Sequence, residues 1–141
     1  MYISARSDYA VRAMLSVAAA PDGLVKASAL AQTQDIPLSF LQGILLDLRR
    51  AGLLYSHRGM DGGYALARPS SEISVGDVLR AMAGSLTTIR GLPADVTSYA
   101  GVATGLRDVW LAVNDAIGDV VDSTSLGDLL AQPSGSTAPV A

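Results

Sequence analysis

The sequence predicts a mainly α-helical fold that carries one small β-hairpin. Three observations lead there. Apolar residues recur at helical spacing through most of residues 1–84, and again from Thr104 to Thr124. Inside the first block, Arg58-Gly-Met-Asp-Gly-Gly-Tyr-Ala-Leu-Ala-Arg-Pro69 breaks that period. Arg58-Gly59 and Gly62-Gly63 form a tight, charged tip where glycine permits positive φ, and Tyr64, Leu66 and Arg68 alternate as a returning strand does. Third, half the residues are hydrophobic but aromatics are few, so Leu, Val, Ile, Ala and Met must build the core.

Each element follows in turn. Tyr9, Ala10, Ala13, Met14, Val17 and Ala18 give a core-facing first helix from Ser4 to Ala20, stopped by Pro21-Asp22-Gly23. Val25 reads as a short extended link. Ser28 is a candidate N-cap for a second helix over Ala29–Gln34, and Asp35-Ile36-Pro37 breaks it. Pro37 suits position N1 of a third helix, Leu38–Ala51, whose buried stripe is Leu41, Ile44, Leu45 and Leu48. Arg49 and Arg50 occupy its last turn and Gly52 stops it. The hairpin follows. Ser74 and Asp77 make a capping box for a fourth helix that turns Val75, Val78, Leu79 and Met82 inward and ends at Gly84. Two helices joined by a short turn, then a hairpin with a basic tip, form a winged helix-turn-helix, which points at DNA rather than at a substrate.

Beyond that unit, residues 85–103 mix Thr, Ser, Gly and Pro and read as a loop that orders on binding something. Leu106, Trp110, Val113, Ile117, Val120 and Thr124 are spaced 4, 3, 4, 3, 4, a heptad-like seam on a helix of about 19 residues, roughly 28 Å long. That is longer than a small domain needs and predicts a helix-pairing dimer. Ser125–Leu130 is a short closing helix. The expected organisation is therefore a winged helix-turn-helix over 1–84, a sensor or effector loop over 85–103, a dimerisation region over 104–131 and a disordered tail over 132–141.

Composition narrows the function. The net charge is −3, but it is uneven. Residues 1–68 carry Arg6, Arg12, Lys26, Arg49, Arg50, Arg58 and Arg68 against Asp8, Asp22, Asp35, Asp47 and Asp61, a net +2. Residues 69–141 carry Arg80, Arg90 and Arg107 against eight acids, a net −5 that would repel phosphate. With no cysteine there is no disulfide, no cysteine-ligated zinc and no iron–sulfur site. His57, the only histidine, lies in the wing, so neither a histidine metal cluster nor a catalytic triad can be assembled. No Gly-Lys-Ser/Thr phosphate cradle exists, and no catalytic constellation is visible. Ala13–Ala20 is far too short to span a membrane, and Asp8 and Arg12 interrupt any signal-peptide core, so the chain reads as cytoplasmic.

These pieces, in this order, resemble the Rrf2 family of bacterial transcription regulators. The resemblance is carried by Ser7-Asp8-Tyr9-Ala10, Ile36-Pro-Leu-Ser-Phe-Leu-Gln42, Leu48-Arg-Arg-Ala-Gly-Leu-Leu54, the wing, Ile73-Ser-Val-Gly-Asp-Val-Leu79 and Thr124-Ser-Leu-Gly-Asp-Leu-Leu130. It covers nearly the whole chain up to about residue 130. It implies a homodimer on a near-palindromic operator, each subunit placing its third helix in a major groove and its wing in the flanking minor groove. Many members hold an iron–sulfur cluster through three cysteines in the loop before the dimer helix. Here Ser98 and Thr104 fall near two of those positions, Arg107 falls near an additional ligand used by some relatives, and Asp8 matches a carboxylate ligand in others. Cluster-based sensing does not transfer, so control by an unidentified small molecule or partner protein is expected instead.

Among individual residues, Arg58 with Gly59 is the foremost candidate, because a guanidinium at a hairpin tip fits a narrow, electronegative minor groove. Ser39 and Gln42 lie opposite Leu41 and Ile44 and could reach base edges. Phe40 packs on the sugar–phosphate wall or closes the core. Lys26, Ser28, Arg49 and His57 are candidate phosphate contacts, which set register rather than sequence. Arg50 is either a further cation of this kind or, the plainer reading, paired with an acid such as Asp47 on its own helix. Gly43 replaces the family's usual long polar residue and weakens the helix readout. Leu106, Trp110, Val113, Ile117 and Val120 are assigned to the dimer. Asp8, Ser98, Thr104, Arg107 and Trp110 outline the effector region. The competing reading is a winged-helix interaction protein that regulates an enzyme or another regulator by contact, favoured by the acidic C-terminal half and by Gly43.

Overall fold

The computed structural model describes residues 1–59 and 62–132. The expected tail beyond Gln132 and the hairpin-tip residues Met60 and Asp61 lie outside the described residues. The order of elements is α1 (Ala5–Ala18), α2 (Ala27–Gln34), α3 (Leu38–Arg50), β1 (Leu54–His57), β2 (Gly63–Leu66), α4 (Val75–Ala83), β3 (Thr88–Ile89), β4 (Leu92–Pro93), α5 (Leu106–Asp122) and α6 (Leu126–Leu130), with 3-10 turns at Ser70–Glu72, Ala94–Val96 and Gly101–Ala103. The fold is mainly helical with a small two-stranded antiparallel wing. None of the described helices is long and apolar enough to cross a membrane.

The core lies where the sequence pattern puts it. Ala10, Ala13, Met14 and Val17 of α1 meet Leu41, Ile44, Leu45 and Leu48 of α3, with Leu30, Ile36, Leu54, Ile73, Val78 and Leu126 around them. Ser4 caps α1 by accepting from the Ser7 amide at 3.1 Å. Ser74 and Asp77 form a reciprocal capping box at 2.9 and 3.0 Å, and Ser125 and Asp128 repeat it at the start of α6. Gly52 ends α3 at φ 78°, the left-handed conformation that glycine adopts without a Cβ penalty.

Several local expectations are corrected. Val25 is the short extended link expected, and it has a partner the sequence did not show: its amide and carbonyl pair with Tyr64 at 2.9 and 2.7 Å, adding a bridge to the wing. That bridge holds Lys26 extended, so α2 starts at Ala27 with Lys26 at its N-cap, and Ser28 lies inside the first turn. Pro37 stands at the N-cap of α3 rather than at N1, its ψ of 126° keeping it outside the helix. The returning strand ends at Leu66, and Arg68 beyond it reaches Asp77 at 3.6 Å. The segment 85–103 is not an irregular loop. Thr88↔Pro93 and Ile89↔Leu92 pair across an Arg90-Gly91 turn at φ 52° and 78°, and Thr97 is buried with its hydroxyl donating to the Ala94 carbonyl at 2.7 Å.

Candidate nucleic-acid interface

The exposed polar face of α3 arises from its own amphipathicity. Leu41, Ile44, Leu45 and Leu48 are fully buried, which leaves Ser39, Gln42, Gly43, Arg49 and Arg50 exposed on the opposite side. Phe40 is divided between the two roles. Its ring stands edge-on to Tyr9 of α1 with centroids 5.7 Å apart, yet two-fifths of the residue is exposed. The Tyr9 ring in turn carries the Arg12 guanidinium 5.2 Å from its centroid. Asp47 does not pair with Arg50: its carboxylate is taken by Arg6 of α1, which leaves Arg50 exposed without an ion-pair partner among the described residues. Both the α1–α3 link and this freed arginine were hidden from sequence spacing, because Arg6 and Asp47 are close only in space.

The wing is built by register and close approach. β1 and β2 pair Leu54↔Leu66, Tyr55↔Ala65, Ser56↔Tyr64 and His57↔Gly63. Arg58 and His57 are exposed at its end, and the His57 ring stacks edge-on against Tyr55 at 5.0 Å. Gly59 adopts φ 103° and its carbonyl accepts from the Gly62 amide at 3.0 Å. A Cβ on Gly62 would overlap the His57 carbonyl, and one on Gly63 would sit 2.6 Å from the Val25 oxygen. Gly59 is needed for its φ, and Gly62 and Gly63 for space.

The Val25–Tyr64 bridge carries a consequence for the site. It places Lys26 beside β2 at the start of α2, and no side chain caps that helix. Exposed Lys26 and Ser28 therefore sit at a positive helix end suited to a phosphate. On the other side of the wing, the Arg49 guanidinium donates to the Ser56 hydroxyl at 3.4 Å, tying the end of α3 to β1. The start of α2, the wing strands and the end of α3 are thus one connected surface.

Of the residues expected in the effector region, Asp8 lies on α1, whereas Ser98, Thr104, Arg107 and Trp110 belong to the segment before α5 and its first turns. Asp8 is exposed on α1 and pairs with Arg12 at 3.4 Å, one turn away. Arg107 donates to the Thr97 carbonyl at 3.1 Å and to the Asp95 carbonyl at 3.0 Å. Trp110 Nε1 donates to the Tyr99 hydroxyl at 3.0 Å. Ser98 and Thr104 are exposed, the Thr104 hydroxyl donating to the Gly101 carbonyl at 2.7 Å. Together these bonds strap the segment onto α5. The donor set does not fit an iron–sulfur cluster, since the 141 residues hold no thiol and a guanidinium that donates to two carbonyls cannot ligate iron. No group of three metal-ligating side chains occurs among the described residues. A groove of about 420 Å³ between α4, the second hairpin and α5 is lined in part by Leu86, Thr87, Asp95, Leu111 and Asn114, and the buried Thr87 hydroxyl has no hydrogen-bond partner.

Helix α5 has no buried residue. Leu106, Val109, Val113 and Val120 are exposed with Ala112 and Ala116, whereas Trp110 and Ile117 are half-buried against their own chain. The outer apolar stripe therefore runs 106, 109, 113, 116, 120. Val109 and Ala116 were missed because larger side chains one residue on gave an equally regular count.

Comparison with known proteins places this geometry. The family described as "Rrf2: Iron-dependent Transcriptional regulator" matches residues 3–132. Rv1287 of Mycobacterium tuberculosis, named as a candidate HTH-type transcriptional regulator, is 45% identical over 130 residues, which are 92% of this chain and 81% of that protein. Among solved structures, CymR of Bacillus subtilis, described as a global cysteine regulator, superposes with a TM-score of 0.77 at 31% identity, covering 92% of this chain and 95% of that one. IscR of T. potens gives 0.74 at 33% identity, covering 92% and 86%.

Proposed function

Given that the chain belongs to the Rrf2 family and is a DNA-binding transcriptional regulator, we propose that it acts as a homodimeric repressor on a near-palindromic operator. Two α3 helices enter successive major grooves and two wings enter the flanking minor grooves. The observation that carries this reading is the connected surface just described. A reading helix presents polar and basic residues outward, and a wing with Arg58 at its end is joined by backbone to the Lys26 end of α2. Arg58 and Gly59 insert into the minor groove, Ser39 and Gln42 read base edges, Phe40 lies against the sugar wall, and Lys26, Ser28, Arg49 and His57 hold phosphates.

The exposed stripe on α5 supports pairing with a second copy through Leu106, Val109, Val113 and Val120, with Trp110 and Ile117 at its margin. Control rests on a small molecule or partner protein rather than on a cluster, because the strapped segment before α5 has no thiol to offer iron. The groove beside Thr87 is the place for a small effector, and Ser98 and Thr104 offer exposed hydroxyls near it in sequence. The protein works as a cytoplasmic regulator without catalytic chemistry.

The test is an anisotropy titration of the purified chain on the DNA upstream of its own gene against scrambled DNA of equal length. Specific binding that weakens steeply with salt is expected. Equal affinity for both duplexes at every salt concentration would overturn the reading.

A further inference from the structure

The end of α5 is clamped to the start of α4 by backbone. The Val75 amide donates to the Thr124 carbonyl and the Leu126 amide to the Ile73 carbonyl, each at 2.9 Å. A clamp of this kind fixes a point and leaves an angle. Arg80 lies further along α4, and its guanidinium meets the Asp122 carboxylate in a two-pronged pair, Nη1 to Oδ1 at 2.5 Å and Nη2 to Oδ2 at 2.8 Å. It is the only ion pair joining α4 to α5 among the described residues. Two parallel bonds between planar groups resist rotation as well as separation.

The pair also has a space made for it. A Cβ on Gly76 would overlap Asp122 Oδ1, and one on Gly118 would lie 3.5 Å from Oδ2. A glycine from each helix therefore faces the carboxylate. No α5 side chain is fully buried, and the bonds of Arg107 and Trp110 hold its other end to the 95–99 segment rather than to α4, so at the α4 end the ion pair adds the directional contact. The guanidinium holds the Asp122 carboxyl below its ordinary range and is itself held more firmly protonated.

We propose that the Arg80–Asp122 pair is a positioning device that fixes the angle between the DNA-reading head and the pairing helix, and so sets the half-site spacing the dimer accepts. This rests on the homodimer–operator reading above. At half exposure the pair adds little to stability. Its effect is geometric: in a dimer joined through α5, any tilt of the head is doubled at the operator.

The absence of cysteine allows a direct measurement. Thr33→Cys on α2 and Asp108→Cys on the far end of α5 are both exposed, and spin labels there read the head-to-helix distance when labelled chains are diluted with unlabelled ones. One narrow distance distribution is expected. Arg80→Ala or the isosteric Asp122→Asn should broaden or shift it, while Arg90→Ala, which removes the same charge at the hairpin tip, should not. On operator DNA with half-sites moved in single base-pair steps, the pair variants should lose about fivefold or more at the preferred spacing and less at its neighbours. Unchanged distances, or an equal loss at every spacing, would overturn the proposal. If the unmutated chain binds no DNA specifically, the functional reading fails, and the distance measurement still decides whether the pair sets the angle.

Discussion

Arg58 and Gly63 separate two demands on the same hairpin. Arg58 is exposed, and nothing in the fold depends on its guanidinium among the described residues. Arg58→Ala should therefore leave the melting curve in place and weaken specific DNA binding by about 1–3 kcal/mol in an anisotropy titration. An unchanged affinity would remove it from the interface. Gly63 behaves oppositely. A Cβ there would sit 2.6 Å from the Val25 carbonyl oxygen, against backbone that cannot swing away as a side chain can. Gly63→Ala should cost about 1–3 kcal/mol of stability by chemical denaturation, because the Val25–Tyr64 bridge must open. An unshifted denaturation midpoint would mean that the bridge contributes nothing. The sequence marks both residues through the glycine-rich tip. It does not show that Val25 is the neighbour Gly63 has to clear, since that contact joins segments far apart in the chain.

Helix α3 was legible because one side of it is wholly core: the 3,4 spacing of Leu41, Ile44, Leu45 and Leu48 leaves only one way to bury it. Gly43 lies on the opposite face, and a Cβ there meets nothing within 4 Å. Gly43→Ala should stabilise the fold by about 0.5–1 kcal/mol through helix propensity alone, raising the denaturation midpoint, and any loss of stability would show that the face is already occupied. Helix α5 was legible in period and not in phase. Heptad spacing says that one stripe is apolar, but Trp110 and Ile117 are half-buried on their own chain while Val109 and Val113 stay exposed, and Trp110 is held inward by its bond to Tyr99. Residues 88–93 escaped detection for a different reason, since strands of two residues are too short to alternate. The start of α2 likewise depends on the distant Val25 bridge rather than on Ser28. At the α4–α5 contact the sign of the pH effect is fixed. The depressed Asp122 carboxyl contributes stability that is present above its unfolded value and lost as pH falls through its folded one. With Arg80 shifted upward, the pair stays fully charged from mildly acidic pH through the physiological range. Head-to-helix distances should be constant over that window and relax only in acid.

The whole molecule is acidic, yet its two halves carry opposite signs, and that split makes a quantitative demand. Lys26, Arg49, Arg50 and Arg58 are exposed cations on the head, with Arg50 left without an ion-pair partner among the described residues because Arg6 holds Asp47. If all four meet phosphate or groove in each subunit of a dimer, about eight charges are neutralised, and log K should fall against log salt with a slope near −7. Affinity should then drop about 10⁴-fold between 50 and 200 mM monovalent salt. Lys26→Ala removes one such contact per subunit and should flatten the slope by about 2 units while preserving the preference for operator over scrambled DNA, because phosphate contacts position and do not read. Charge changes on the acidic half, such as Asp119→Ala, lie away from that surface and should leave the slope nearly unchanged at salt concentrations where the Debye length is about 10 Å or less. A measured slope shallower than about −2 would mean that the connected surface of α2, α3 and wing does not face the duplex.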